Sequence, residues 1–213
     1  MNCIFNDLGG DKMGRSKIIK DLVNEKIPIT VALNNLFVFS KELGNVKLEQ
    51  WVKNELNGYD RDMDLPDYRK NLPYRIVYTG INGQFQVTNQ PLPIVQLGEY
   101  ARKIDSLNVI RNSIVELFDK ESKFAKDLTW MSGEVYKKSG IQCISITLVM
   151  GKNISNIVIS SVKTRVLESL ILLESELGVL DDLYLGEQVD DTKKVQSINE
   201  KVDSILFANG RGV

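Results

Sequence analysis

The chain has 213 residues, an ordinary balance of apolar and charged side chains, and a formal charge of −1, so it is long enough for one cooperative core and lacks the basic excess of a nucleic-acid-binding domain. It contains no histidine, which removes the commonest general base, the commonest metal ligand and every Ser-His or Cys-His nucleophile. Its two cysteines, Cys3 and Cys143, give neither metal-ligand spacing nor a disulfide framework, and no apolar run approaches the roughly 20 residues that span a bilayer.

The first residues, MNCIFNDLGGDK, lack the basic start and apolar stretch of a secretory signal. Back-translated, Leu-Gly-Gly-Asp-Lys-Met can encode a bacterial ribosome-binding sequence ahead of an ATG, which points to Met13 as a natural start and to residues 1–15 as a flexible leader.

From Ser16 to about Glu25, the residues Ile18, Ile19, Leu22 and Val23 make one face of a short helix closed by Pro28. TVALNNLFVFSKELG reads as a buried helix from about Thr30 to Leu43, stopped by Gly44. Asn45 can cap a third helix whose stripe is Leu48, Trp51, Val52 and Leu56, with Gly58 as its end. These three make a small bundle. YRIVYTGINGQFQVT then predicts two strands turning at Asn82-Gly83, and Pro91 and Pro93 mark an extended connector. Residues from about Glu99 to Phe118 read as helical on the spacing of Ile110, Ile114 and Leu117, with or without a break near Ser106-Leu107.

IQCISITLVMG alternates, with Ile144, Ile146, Leu148 and Met150 on one face, and predicts a third strand. The longest helix follows, about Ser155 to Leu177, with Val158, Val162, Val166, Leu170, Leu173 and Leu177 in line and Gly178 as its stop. A last amphipathic helix carries Val195, Ile198, Val202, Ile205 and Leu206. The expected class is therefore α+β: an N-terminal helical bundle, a short antiparallel sheet of about three strands, a long helix in the C-terminal half and a terminal amphipathic helix.

No phosphate loop, dinucleotide fingerprint, HExxH, CxxC or GxSxG is present. Asp60, Asp62, Asp64 and Asp67 are spaced as in a cation-binding loop, but also as in a solvated turn, and no metal or cofactor is expected. Arg69 and Arg75 flank KNLPY, and Arg165 sits near Lys163 and Glu168. Guanidinium groups in such settings grip anions or brace neighbouring elements, and the internal brace is the favoured reading. Trp51, Tyr59, Tyr68, Tyr74 and Tyr78 could stack bases, but their spacing favours core packing. Cys143, in an apolar strand, reads as an inert thiol.

Three patterns in this order resemble the signature blocks of the AbiTii family of bacterial abortive-infection proteins. They are W-x3-E-L-x-G-Y through Trp51, Glu55, Leu56, Gly58 and Tyr59, LP-x-YR through Leu65, Pro66, Tyr68 and Arg69, and V-x-x-R-x-L through Val162, Arg165 and Leu167, followed by Glu174. Lys163 stands where many relatives are expected to carry arginine. The resemblance spans roughly residues 16–178, leaving 179–213 as a helical tail suited to self-association or docking.

It implies a cytoplasmic phage-defence protein that acts with a partner encoded beside it, and it brings no catalytic residue set. The expected mode is sensor, regulator or effector through protein–protein contact, with a phage protein as a candidate trigger, a homo-oligomeric state and no membrane insertion. The alternative is a toxin enzyme, a histidine-free nuclease using Arg69, Arg75 or Arg165 with acids such as Asp67; nucleic acid is not the favoured partner.

Overall fold

Local signals fix the ends of the first three helices in the computed structural model, which describes residues 14–119, 124–151 and 153–207. Helix α1 spans Lys17–Val23, α2 Ile29–Glu42 and α3 Val46–Asn57. Gly44 follows α2 at φ 60°, a left-handed conformation that glycine adopts without a Cβ penalty. The Asn45 side chain then accepts from the Leu48 amide at 2.9 Å, the expected N-cap of α3. Of the expected leader at residues 1–15, all but Gly14 and Arg15 lies outside the described residues, the start at Met13 included.

The sheet has four strands, all antiparallel, in the order β2-β1-β4-β3. Strand β1 is Tyr74–Asn82, β2 Phe85–Pro91, β3 Ala125–Asp127 and β4 Gln142–Met150. The hairpin turn lies one residue later than expected, because Asn82 pairs with Phe85 and leaves Gly83 and Gln84 as the loop. Strand β3 exceeds the expected three strands; its three residues, Ala-Lys-Asp, carry no alternation to betray it.

Ile146, Leu148 and Met150 face the core as their alternation predicts, but Ile144 does not and is 65% exposed. Thr79 pairs with Ser145 and Gly80 with Cys143, so Ile144 is the extra residue of a β-bulge, out of step with its neighbours. A side chain at Gly80 would meet the Gln142 carbonyl oxygen at 2.1 Å, which fixes glycine at this crossing.

The segment read as helical from Glu99 to Phe118 breaks after Leu107, where the sequence left a break open, and is otherwise in shorter pieces than expected. A tight 3-10 segment, Ile94–Lys103, kinks at Gly98 and runs into α4, Ile104–Leu107; a single turn, α5, follows at Ile114–Leu117. Between them the chain is extended because tertiary bonds hold it: Val109 bridges to Lys70, Ile110 N–H donates to Arg69 O at 3.0 Å, and the Asn108 side-chain Nδ2 donates to Leu72 O at 2.6 Å. Lys126 from β3 also donates to the carbonyls of Leu107 and Val109. These contacts override the helical spacing.

Helix α6, Ser132–Ser139, lies against the sheet, and α7, Ile154–Leu177, is the pillar, with Val158, Val162, Val166, Leu170 and Leu173 excluded from solvent. The last helix, α8, spans Thr192–Phe207 and buries Ile198, Val202 and Leu206 in the same core as Trp51, Ile76 and Val162. The apolar stripe expected to serve docking is thus covered within the chain. Among the described residues, no helix is long and apolar enough to cross a membrane.

Candidate functional site

Four-residue steps place Trp51, Glu55 and Tyr59 on one side of α3, with Tyr59 just past the Gly58 stop. Pro66 then redirects the chain, and a single 3-10 turn, Asp67–Arg69, returns Tyr68 and Arg69 to the same place. Gly58 sits at φ 91°, and a Cβ there would lie 3.0 Å from Arg111 O, so the turn can bend this closely only at glycine.

The five side chains form one closed network. Arg69 Nη2 donates to Glu55 Oε2 at 2.5 Å and Arg69 Nε to Oε1 at 3.2 Å, while Tyr59 Oη and Tyr68 Oη donate to the same Oε1 at 2.7 and 2.6 Å. Trp51 Nε1 donates to Tyr68 Oη at 3.0 Å. The remaining Arg69 nitrogen, Nη1, donates to the carbonyls of Asn112 at 2.9 Å and Ile110 at 3.3 Å. Both charged side chains are 0% exposed.

Burial first, and then the Glu55 charge, raise the pKa of both tyrosine hydroxyls, which stay protonated as donors. Burial alone would lower the Arg69 pKa, but the Glu55 carboxylate, with the two tyrosines, outweighs it and holds the guanidinium above its ordinary range. The Arg69 guanidinium carbon lies 4.8 Å from the Tyr59 ring centroid.

Arg165 extends the network from α7. Its guanidinium carbon stands 4.4 Å from the Tyr68 ring centroid, and its Nε donates to Leu206 O, a backbone carbonyl of α8, at 3.1 Å. The three signature blocks therefore meet at one place, where they tie α3, the turn before the sheet, α7 and α8 together. Chemically this arrangement holds: both carboxylate oxygens are occupied, and the buried pair presents no face to a substrate.

The other sequence candidates lie elsewhere. Asp67 is exposed, with Lys70 at 3.7 Å, and Arg75 is exposed on β1. Lys163 makes a surface ion pair with Glu25 at 2.9 Å, and Glu168 is exposed on α7. Among the described residues no three Asp, Glu or Cys groups are placed to share a metal ion, so the acidic run Asp60, Asp62, Asp64, Asp67 does not converge. Cys143 is half-buried, and burial raises its thiol pKa, as the inert reading requires.

The sequence reading missed Ile110, Arg111 and Asn112, whose backbones receive Arg69 and Tyr59; Arg111 itself donates to the carbonyls of Asp60 and Met63. The only signal is the polar run Arg-Asn-Ser, which interrupts the apolar spacing there.

The AbiTii family profile matches residues 16–199, most of the chain. The chain belongs to the AbiTii family. The match contains every residue of the buried network and runs past Gly178 into α8, whose packing against α7 makes it part of the same core. AbiTii membership assigns the chain to bacterial abortive infection, an antiviral response. No curated protein and no solved structure matches it.

Proposed function

We propose that this chain is the interaction component of a two-protein abortive-infection system, a sensor or regulator that acts with a partner encoded beside it and self-associates. The observation that supports this most is the inward, saturated state of the signature network. Residues such as Glu55 and Arg69 shape the fold, which leaves recognition to the exposed surface. That surface is rich in large apolar side chains, Phe85, Trp130 and Tyr184 among them, of the types that anchor protein–protein contacts.

The test is expression in bacteria of this chain alone, its neighbour alone and both, with growth, RNA integrity and phage plating followed. The proposal expects protection only from the pair, co-purification of the two proteins, and no growth defect or RNA cleavage from this chain alone. Growth arrest with degraded RNA from this chain alone would overturn it in favour of the nuclease reading.

A further inference from the structure

Helix α8 is the least deeply held of the long helices. It lies against α3 and α7, yet it buries only Ile198, Val202 and Leu206, whereas the shorter α2 buries six residues. Its ion pairs lie at the rim: Lys201 Nζ meets Glu176 Oε1 at 2.6 Å and Lys47 Nζ meets Asp203 Oδ2 at 3.0 Å, with both lysines at least half exposed. Asn199 Nδ2 donates to Leu43 O at 3.1 Å, but its Oδ1 is buried with no hydrogen-bond partner among the described residues, which works against this seat. Leu180 and Leu185 pin the connector before α8 to the core; beyond them it starts at Gly186, φ 58°, and ends on exposed Asp190 and Asp191. Asp191 accepts from the amides of Lys193 and Lys194, so α8 carries its own N-terminal cap and opens as a unit.

We infer that α8 is exchanged between two copies, each seating its helix in the α3–α7 groove of the other. The inference rests on the self-association proposed above and names the contact behind it. The groove itself specifies the occupant. Along α8, Asn199 meets Leu43 O, Lys201 meets Glu176, Asp203 meets Asn45 and Lys47, and the Leu206 carbonyl meets Arg165, while Ile198, Val202 and Leu206 enter the core between these contacts. A second copy reproduces that register of charges and apolar side chains in full, and an unrelated amphipathic helix does not. Because every contact of the closed chain recurs between the two chains, exchange needs no new surface and differs from closure only in the connector and in protein concentration. A helix whose apolar stripe is covered within the chain thereby still serves self-association.

The experiment couples the Glu176–Lys201 pair with a water-soluble carbodiimide, which joins the carboxylate to the amine as an amide and takes up the lost water as a urea. Wild type is expected to yield the coupled Glu176–Lys201 peptide and to be dimeric by light scattering after size exclusion. Two variants of the full chain, Glu176→Gln and Lys201→Gln, each remove one partner of this rim pair and are checked for wild-type circular dichroism and melting. Neither variant alone can form the amide. Co-expressed with different tags, they can form it only by exchange, which brings Lys201 of the Glu176→Gln chain to Glu176 of the Lys201→Gln chain. The expected result is a covalent heterodimer that releases the coupled peptide on digestion.

A coupled peptide that forms in wild type but not in the co-expressed variants overturns the exchange; if wild type is still dimeric, self-association stands through another surface. A wild-type chain that stays monomeric at all accessible concentrations overturns the exchange and the self-association together. No coupled peptide in wild type means that α8 does not occupy this seat, and it overturns the exchange as well. Phage protection and partner binding are read separately in the wild-type pair, and their absence overturns the proposed function whichever way the coupling falls.

Discussion

Arg69 and Glu55, 14 residues apart in the chain, join through two guanidinium nitrogens and two carboxylate oxygens, with neither side chain reaching solvent. Such a pair is costly to desolvate, and its benefit lies in being complete: two tyrosine hydroxyls and two backbone carbonyls satisfy what the pair itself leaves open.

Removing one charge should therefore harm more than removing both. Arg69→Ala is expected to cost about 3–5 kcal/mol, because Glu55 is left charged and buried. The uncharged pair Glu55→Gln with Arg69→Met keeps an acceptor for Tyr59 and Tyr68, and it should retain more stability than the single variant. Urea unfolding of the double and of its two single variants, Glu55→Gln and Arg69→Met, decides; a double variant that loses the sum of two large single effects would refute the coupling.

The two tyrosines set the alkaline limit. Their folded pKa values are raised, so the unfolded chain releases these protons first, and their contribution is intact below about pH 10 and lost as pH rises beyond it. Each should remove roughly 1.4 kcal/mol of stability per pH unit above that point. In an absorbance titration of tyrosinate, two of the 7 tyrosines should ionise only as the chain unfolds. Ionisation of all seven in the folded protein would contradict the network.

Glu174 sets an acid limit. Burial works to raise its pKa, but the Ser16 amide and hydroxyl, at 2.5 and 2.6 Å, together with Arg15, prevail and hold the carboxyl below its usual range. A depressed carboxyl contributes above its unfolded pKa and loses that contribution as pH falls through the folded value. Glu174→Gln should lower the melting temperature at neutral pH and flatten its decline below about pH 4.5. Parallel acid limbs in the two proteins would sink this assignment.

What the sequence disclosed followed from chemistry that acts within a few residues. Gly44, Asn45 and Gly58 mark helix ends because a left-handed turn or a side-chain cap is local, and the stripe of α7 declares its buried face. The bulge that expels Ile144 depends on the partner strand, and the extended run near Ile110 depends on bonds to Arg69 and Leu72, so apolar spacing misread both. Arg69 was legible as a brace, whereas Glu55 as its partner was not: Gly58 and Pro66 bend the chain between them, and Asp67, the acid nearest in sequence, points to solvent.

Arg165 and Lys163 lie two residues apart on α7 and should respond oppositely. Arg165→Ala loses the Tyr68 ring contact and the bond to Leu206 O, a loss of about 1–3 kcal/mol. Hydrogen exchange should show it as faster exchange at the end of α8. Lys163→Ala removes an exposed pair and should leave the melting temperature unchanged. Equal effects from the two would remove the basis for treating Arg165 as the tie to α8.

In the proposed function the family signature builds the fold and does not touch a target. Phage plating on cells that carry the proposed partner gene together with the Glu55→Gln, Arg69→Met chain tests this most directly, once the purified variant is shown to be folded. The account predicts protection equal to wild type; a folded variant that gives none would contradict it.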